Sequence, residues 1–500
     1  MKKIILIVAV LFSAYSCVND SDDYRKDSEK SYKVPAQYLF SQAEKGLIDL
    51  LTTPNYNRNV FRFLGQYWTE TTYYTEVCYD FETRKVPQNF WDGLYLYVLG
   101  NLAESRKYVL EEQPSVTATA SEIESFNKIK QNKLAQIELL EVYTYQVLVD
   151  TYGNVPYSEA GDPFDHPTPK YDDAKTIYDD LISRTKKATA QLDSSEDGFG
   201  DSDFFYRDIP SSETRIDRWK KIGNTLLVKL GIALSDVNPT LASETINNGI
   251  NGGVILSNQY NAIFKYDTTP PNFSTLYENL VASGRNDFVA ADTFVDFLNS
   301  LNDLRRSVYF QLYEEKDDQG NATGNNYYKG GKYGYPGNTV RNASKVGTFA
   351  YTTTTPGVLF DASEVNFYLA EAAARGFIAG SPESYYNAAI TQSFEYWGVP
   401  IGNYLSTVPY DNKNWQESIG KQAWIALYNR IESWNTKRRL DYPVLKVSPY
   451  YSTVVLSVAE VPVRFRYPID ERTVNSDNYY AASNAIGGDH YHVKIFWDVK

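Results

Sequence analysis

The chain has 500 residues, 62 acidic against 49 basic side chains, a net charge of −13, and an aromatic content of 15 % that includes 43 tyrosines. This length supports one large core or two to three smaller ones, and an acidic chain without a basic patch or an Arg/Lys-rich helix speaks against a nucleic-acid partner, which needs a positive footprint. The three histidines (His166, His490, His492) and two cysteines lack zinc-site spacing, and Gly-x-Ser-x-Gly, Gly-rich phosphate-loop and His-Glu-x-x-His motifs are absent, so the sequence offers no catalytic residue, metal site or cofactor.

Lys2 and Lys3 precede the apolar run Ile4 to Phe12 and then Ser13-Ala14-Tyr15-Ser16-Cys17, the charged, apolar and small-residue regions of a secretory signal. The run is about half of the ~20 residues a spanning helix needs, so residues 1–16 read as a removable signal. Ala14 and Ser16 stand at the −3 and −1 places of a lipoprotein cleavage site, with Tyr15 departing from the usual pattern, which makes Cys17 the expected lipidation site. More than one acyl chain on Cys17 gives a stable membrane anchor. Loss of Lys2 and Lys3 leaves 47 basic against 62 acidic residues, a charge of −15. Residues 17–34 begin with the acidic stretch Val18-Asn19-Asp20-Ser21-Asp22-Asp23, too polar to fold, and read as a tether. This stretch resembles the surface-export signal of Bacteroidetes lipoproteins, which places the chain on the outer membrane facing outward. With Cys17 acylated, Cys78 is the remaining thiol and no internal disulfide forms, so stability must come from the core.

Residues 35–500 read as a single mainly α domain. Apolar periodicity predicts helices over Pro35–Leu51, Trp91–Leu110, Ser121–Thr151, Asp172–Leu192, Ile216–Asp236, Phe288–Leu298, Asp361–Phe377, Pro382–Trp397 and Asn414–Leu440. Loop-rich insertions near 253–286 and 302–360, rich in Asn, Gly, Pro, Thr and Tyr, predict turns and short strands. The acidic segment Asp193–Tyr206 carries Asp193, Glu196, Asp197, Asp201 and Asp203 but lacks EF-hand spacing, so it reads as a solvated loop in preference to a calcium site.

The third long helix ends in Asp150-Thr151-Tyr152-Gly153-Asn154-Val155-Pro156-Tyr157-Ser158-Glu159-Ala160, where Gly153 suits a C-cap and Pro156 keeps Val155 extended. Capping accounts for these residues better than a catalytic pairing of Asp150 with Glu159. The segment resembles the hallmark of SusD/RagB lipoproteins, with Asn154 where aspartate is usual. Further matches follow in order: Asp217 to Leu230 with Trp219, Glu364 to Gly376, Tyr386 to Trp397, Arg438 to Pro443, Val461 to Pro468, Asn475 with Asn478-Tyr479 and Ala481, and Phe496-Trp497-Asp498. Segments of this kind in register behind a lipoprotein signal are specific where one Ala-Glu-Ala helix is not. The resemblance implies a SusD-like fold of tetratricopeptide-like helix pairs. It implies a binding protein without bond-breaking activity, which captures an oligosaccharide, or a peptide in RagB-like members, for a SusC-type TonB-dependent transporter. A surface glycoside hydrolase and a purely adhesive protein are the competing functions.

Two polar stretches rich in rings are the expected ligand contacts: Gln66 to Thr75, with Trp68, Glu70, Tyr73 and Tyr74, and Asn325 to Tyr335, with Asn326, Tyr327, Tyr328 and Tyr333. An apolar platform beside a few polar groups suits a neutral sugar. Trp68 and Tyr328 are the expected anchors, with Asn326 or Glu70 as hydrogen-bonding partner. Trp219 and the helix from Glu364 to Arg375 are expected in the core.

Overall fold

In this computed structural model, residues 34–500 are described apart from 163, 211 and 452–458. The expected signal peptide, Cys17 and nearly all of the tether lie outside the described residues. Successive helices pack against one another in pairs: Ala120–Tyr152 with Ala174–Gln191, Arg215–Ala233 with Pro239–Gly252, Ala362–Ala374 with Pro382–Tyr396, and Trp415–Ala426 with Ile431–Leu440. Helix Ala36–Thr52 packs on a long element that begins at Val86 and ends at Glu111.

Local sequence sets these helices. Ala120–Tyr152 opens on a capping box, in which the Glu122 N–H donates to Thr119 Oγ1 while the Glu122 carboxylate accepts from the Thr119 N–H. It closes at Gly153, whose φ of 86° is disfavoured for other residues. Asp173, Thr214, Asn238, Asp361 and Ser381 cap five further helices with their side chains. The pair 215–233 and 239–252 is tight because Gly249 has no side chain: a Cβ there would lie 2.4 Å from the Asn224 carbonyl oxygen.

Three expected helices differ. Trp91–Leu110 contains a π-helical stretch, Gly93–Leu99, between the α-helical turns. Phe288–Leu298 starts as a strand, Phe288–Ala290, which pairs antiparallel with Trp68–Glu70 before helix Asp292–Ser300 begins. Asn414–Leu440 is two helices, broken between Ala426 and Ile431 where Asn429 takes a left-handed φ of 63°. Helices Pro239–Gly252 and Ser476–Ala485 were not expected. The loop-rich insertions hold short strands, which form two-residue to six-residue pairings such as Ala262–Phe264 with Gly357–Phe360 and Tyr313–Lys316 with Ala322–Tyr327.

The main core runs through nearly every pair, and a smaller cluster around Phe367, Tyr386, Phe394 and Ile419 fills the space between the later helices. Trp219 is fully buried and donates its indole N–H to Asp203 at 2.6 Å, and helix Ala362–Ala374 is buried from Ala362 to Ala372, as expected.

Candidate functional site

The hallmark segment is structural. Asp150 is buried and accepts from Tyr178 Oη at 2.5 Å and Trp497 Nε1 at 2.8 Å, so it ties two helices to the C-terminal segment. Glu159 lies at the surface and pairs with Lys170 at 3.3 Å. Asn154 Oδ1 accepts from the Ala174 N–H at 2.9 Å, which gives the residue at the aspartate position a capping role. In the acidic loop, Asp197 and Asp201 pair with Arg215 and Asp193 lies beside Lys128, so these carboxylates face basic partners.

A buried ion network links helices 215–233, 362–374 and 431–440. Lys229 pairs with Glu432 and, at 3.3 Å, with Glu364; Arg430 pairs with Glu364 and, at 2.8 Å, with Asp361; Arg439 pairs with Glu371 at 3.0 Å. Burial alone would depress the Lys229 ammonium, but the Glu432 and Glu364 carboxylates outweigh it and hold the group above the ordinary lysine range. Burial opposes the charge of Arg430 in the same way, and Glu364 and Asp361 overcome it. These charges are complete among themselves.

Above this network opens a cavity of about 430 Å³. Phe349, Tyr396, Trp397, Tyr428 and Tyr143 supply its rings, Leu51, Leu276, Val358 and Ile431 its aliphatic wall, and Thr352, Thr354, Asn429, Arg430 and Asp361 its polar groups. Trp397 is held edge-on by Tyr309 and Phe349, each at 5.1 Å between centroids. Tyr428 Oη accepts from Trp68 Nε1 at 2.5 Å and donates to the Tyr309 carbonyl at 3.3 Å. Asn429 is the exception to this completeness: its side-chain oxygen and nitrogen are shielded from water and make no hydrogen bond of full geometry, with the Tyr428 hydroxyl as the polar group beside them. An orphan buried polar group costs about 1–3 kcal/mol, and a non-glycine residue at positive φ adds strain. Cost of this kind gathers where a ligand can relieve it. A second hollow, about 720 Å³ between Tyr95, Tyr145 and Tyr157, is polar, but its Arg184 is already engaged by Glu138, Glu141 and Tyr157.

The two ring-rich stretches meet at their bases, where Thr69 Oγ1 accepts from the Gly334 N–H at 3.2 Å, but their side chains sort differently from the expectation. Trp68 is fully buried, beneath the Arg62 guanidinium at 4.8 Å, because strand Trp68–Glu70 pairs with Phe288–Ala290 inside the core. Glu70 is 1 % exposed; burial first, and then the neighbouring Glu76, push its carboxyl well above the usual range. Tyr333 is 5 % exposed and donates to the Phe63 carbonyl at 2.6 Å. These three are therefore not exposed platforms. Tyr73 (46 % exposed), Tyr74, Asn326 and Tyr327 are at the surface, and Tyr328 is half-buried with the Arg306 guanidinium 5.4 Å over its ring. Tyr73 packs with Tyr56, and Tyr327 with Tyr313 across a hairpin.

The residues of the cavity escaped the sequence reading. Their signal was the run Leu427-Tyr428-Asn429-Arg430 inside an apparently continuous helix, since Asn is among the few residues that tolerate a left-handed turn, and the threonine run before Pro356.

The helical fold is that of SusD-like proteins. The family model described as "Starch-binding associating with outer membrane" matches residues 27–468, and the chain belongs to that SusD-like family. Among solved structures, a chitin-binding protein is similar at 25 % identity with a TM-score of 0.75, over 93 % of this chain and 99 % of its own. A chitin-binding SusD homologue from Flavobacterium johnsoniae is similar at 20 % identity and a TM-score of 0.74, over 93 % and 99 %. A SusD homologue from Bacteroides uniformis matches at 23 % and 0.73, over 94 % and 100 %. The last two likenesses show the fold alone. No curated protein matches the chain. Among the described residues no helix is long and apolar enough to cross a membrane.

Proposed function

We propose that the chain is a non-enzymatic, lipid-anchored protein of the outer membrane that captures an oligosaccharide and hands it to a SusC-type TonB-dependent transporter. The observation that carries the carbohydrate reading is the cavity walled by Trp397, Tyr396 and Phe349, in which the Asn429 carboxamide makes no hydrogen bond of full geometry. Flat rings with an uncommitted planar amide suit sugar faces and hydroxyls. The family description and the titles of the chitin-binding structures support the same ligand class. Arg430 supplies the positive charge of the lining and is engaged by Glu364 and Asp361, so no uncommitted cation in this lining awaits a peptide carboxylate. That favours glycan over peptide. Tyr73, Tyr74, Asn326, Tyr327 and Tyr328 remain candidates for outer contacts to a longer glycan.

Screening the purified protein on a glycan array, followed by calorimetry on the hits, should give binding without cleavage of the sugar and with weak salt dependence, since the contacts are neutral. Binding of peptides but of no glycan would overturn the reading, and hydrolysis of the bound glycan would replace it with the enzyme. Fatty-acid labelling should mark the wild type and not Cys17→Ser. Co-purification of a barrel protein with the native chain tests the transporter partnership.

A further inference from the structure

We infer that the cavity receives the end of a saccharide chain, one or two rings deep, and that Asn429 is a ligand contact which reads two adjacent hydroxyls. The inference rests on the carbohydrate reading above and goes beyond it in stating which part of a glycan is bound and by which group.

Size sets the first half. A dry protein cavity of about 150 Å³ accepts one benzene ring. The cavity here, at about 430 Å³, is nearly three times that volume. It therefore has room for one pyranose or two and not for an extended chain. Buried Glu432, tied to Lys229, lines one side of it and the exposed Thr352 and Thr354 line another, so a chain enters from the threonine side and meets the ion network.

Chemistry sets the second half. Several other polar groups of the wall are committed: Ser363 Oγ donates to the Ala389 carbonyl at 2.8 Å, Ser393 Oγ accepts from Arg305 at 2.9 Å, Thr355 donates to the Phe349 carbonyl, and Asp361 and Arg430 hold each other. Asn429 is the wall residue whose shielded donor and acceptor both lack a hydrogen bond of full geometry, with the Tyr428 hydroxyl beside them. A carboxamide offers N–H and C=O side by side, which matches one hydroxyl accepting and its neighbour donating. Both atoms are shielded in the wall, so contact requires a rotamer change of this one side chain. The left-handed backbone at Asn429, φ 63°, places the residue between helices 415–426 and 431–440, where no helical hydrogen bonding competes for it. Two departures from the folding optimum, strain and unmet hydrogen bonds, thus coincide on one residue of the cavity wall.

The test is calorimetric titration of the full chain with two ladders, glucose to maltohexaose and N-acetylglucosamine to its hexamer, repeated on Asn429→Gly and Asn429→Asp. Glycine removes the carboxamide and adopts positive φ freely, whereas aspartate keeps the shape and loses the donor. In whichever ladder binds, affinity should rise from one unit to two and then stay level. Asn429→Gly should weaken it at least tenfold at an equal or higher Tm, and Asn429→Asp should weaken it too. Affinity that keeps rising to the hexamer, or an Asn429→Gly protein that binds as the wild type does, overturns this inference and leaves the carbohydrate reading standing. Loss of fold in both variants would make Asn429 a structural residue and overturn it as well. Absence of binding to either ladder and to every glycan of the array fails the carbohydrate reading itself.

Discussion

Asn429 and Arg430 are neighbours in the chain and share the wall of one cavity, yet they are opposite in kind. Arg430 is enclosed by Asp361 and Glu364 and belongs to a network in which each charge has its counterpart. Asn429 sits at a strained φ with an amide that makes no hydrogen bond of full geometry. A polar group buried and completed serves the fold, because removing one partner strands the other. The contrast separates scaffold from site within a single turn of chain.

The sharpest way to break the comparison is to strand the network. Lys229→Met leaves Glu364 and Glu432 without their shared ammonium and should cost about 3–5 kcal/mol in chemical denaturation. An unchanged midpoint would show that the network is not the scaffold described here.

A second buried cluster is complete only when it carries a proton. Glu44 and Asp203 are both fully buried; burial first, then the Asp203 charge, raises Glu44 well above its usual range, and burial pushes Asp203 up to about 6. A carboxyl whose folded pKa exceeds its unfolded value stabilises the fold below the unfolded pKa, and that stability is lost as pH rises through the folded pKa. Asp203 thus makes the protein more stable at pH 5 than at pH 7, by roughly 2 kcal/mol at most. Asp203→Asn, neutral at every pH, should flatten the dependence between pH 5 and 7. A slope identical to that of the wild type would contradict the assignment.

At the incomplete group the sign reverses. Asn429→Gly should raise stability by about 1 kcal/mol, through relief of positive φ and of the orphan amide, while binding falls. Smaller still is the effect at the surface: Tyr327→Ala, exposed on its hairpin, should change stability by no more than about 0.5 kcal/mol. Any loss of glycan affinity in Tyr327→Ala would then report an outer contact and not a damaged fold.

Much of the fold was legible because apolar spacing and caps are local: the helix ends at Gly153 and the cap at Asp361 follow from a few neighbouring residues. The split of 414–440 was not legible, since Ala, Leu and Trp continue the period through a break caused by one asparagine. The ring-rich stretches failed for a different reason. Trp68 and Tyr73 share one composition, but Trp68 is drawn inside by pairing with Phe288–Ala290, a partner more than two hundred residues away. Burial of that kind depends on tertiary pairing and not on local polarity. The cavity likewise collects residues from six separate segments, from Leu51 to Glu432, and no window of sequence contains it.

The central claim, that a saccharide is held against the aromatic wall of this cavity, is tested most directly at Trp397. Equilibrium titration of Trp397→Ala against the glycan that the wild type binds best, with circular dichroism establishing that the variant is folded, should show at least a tenfold loss of affinity. A folded Trp397→Ala protein that binds this glycan as tightly as the wild type would contradict the claim.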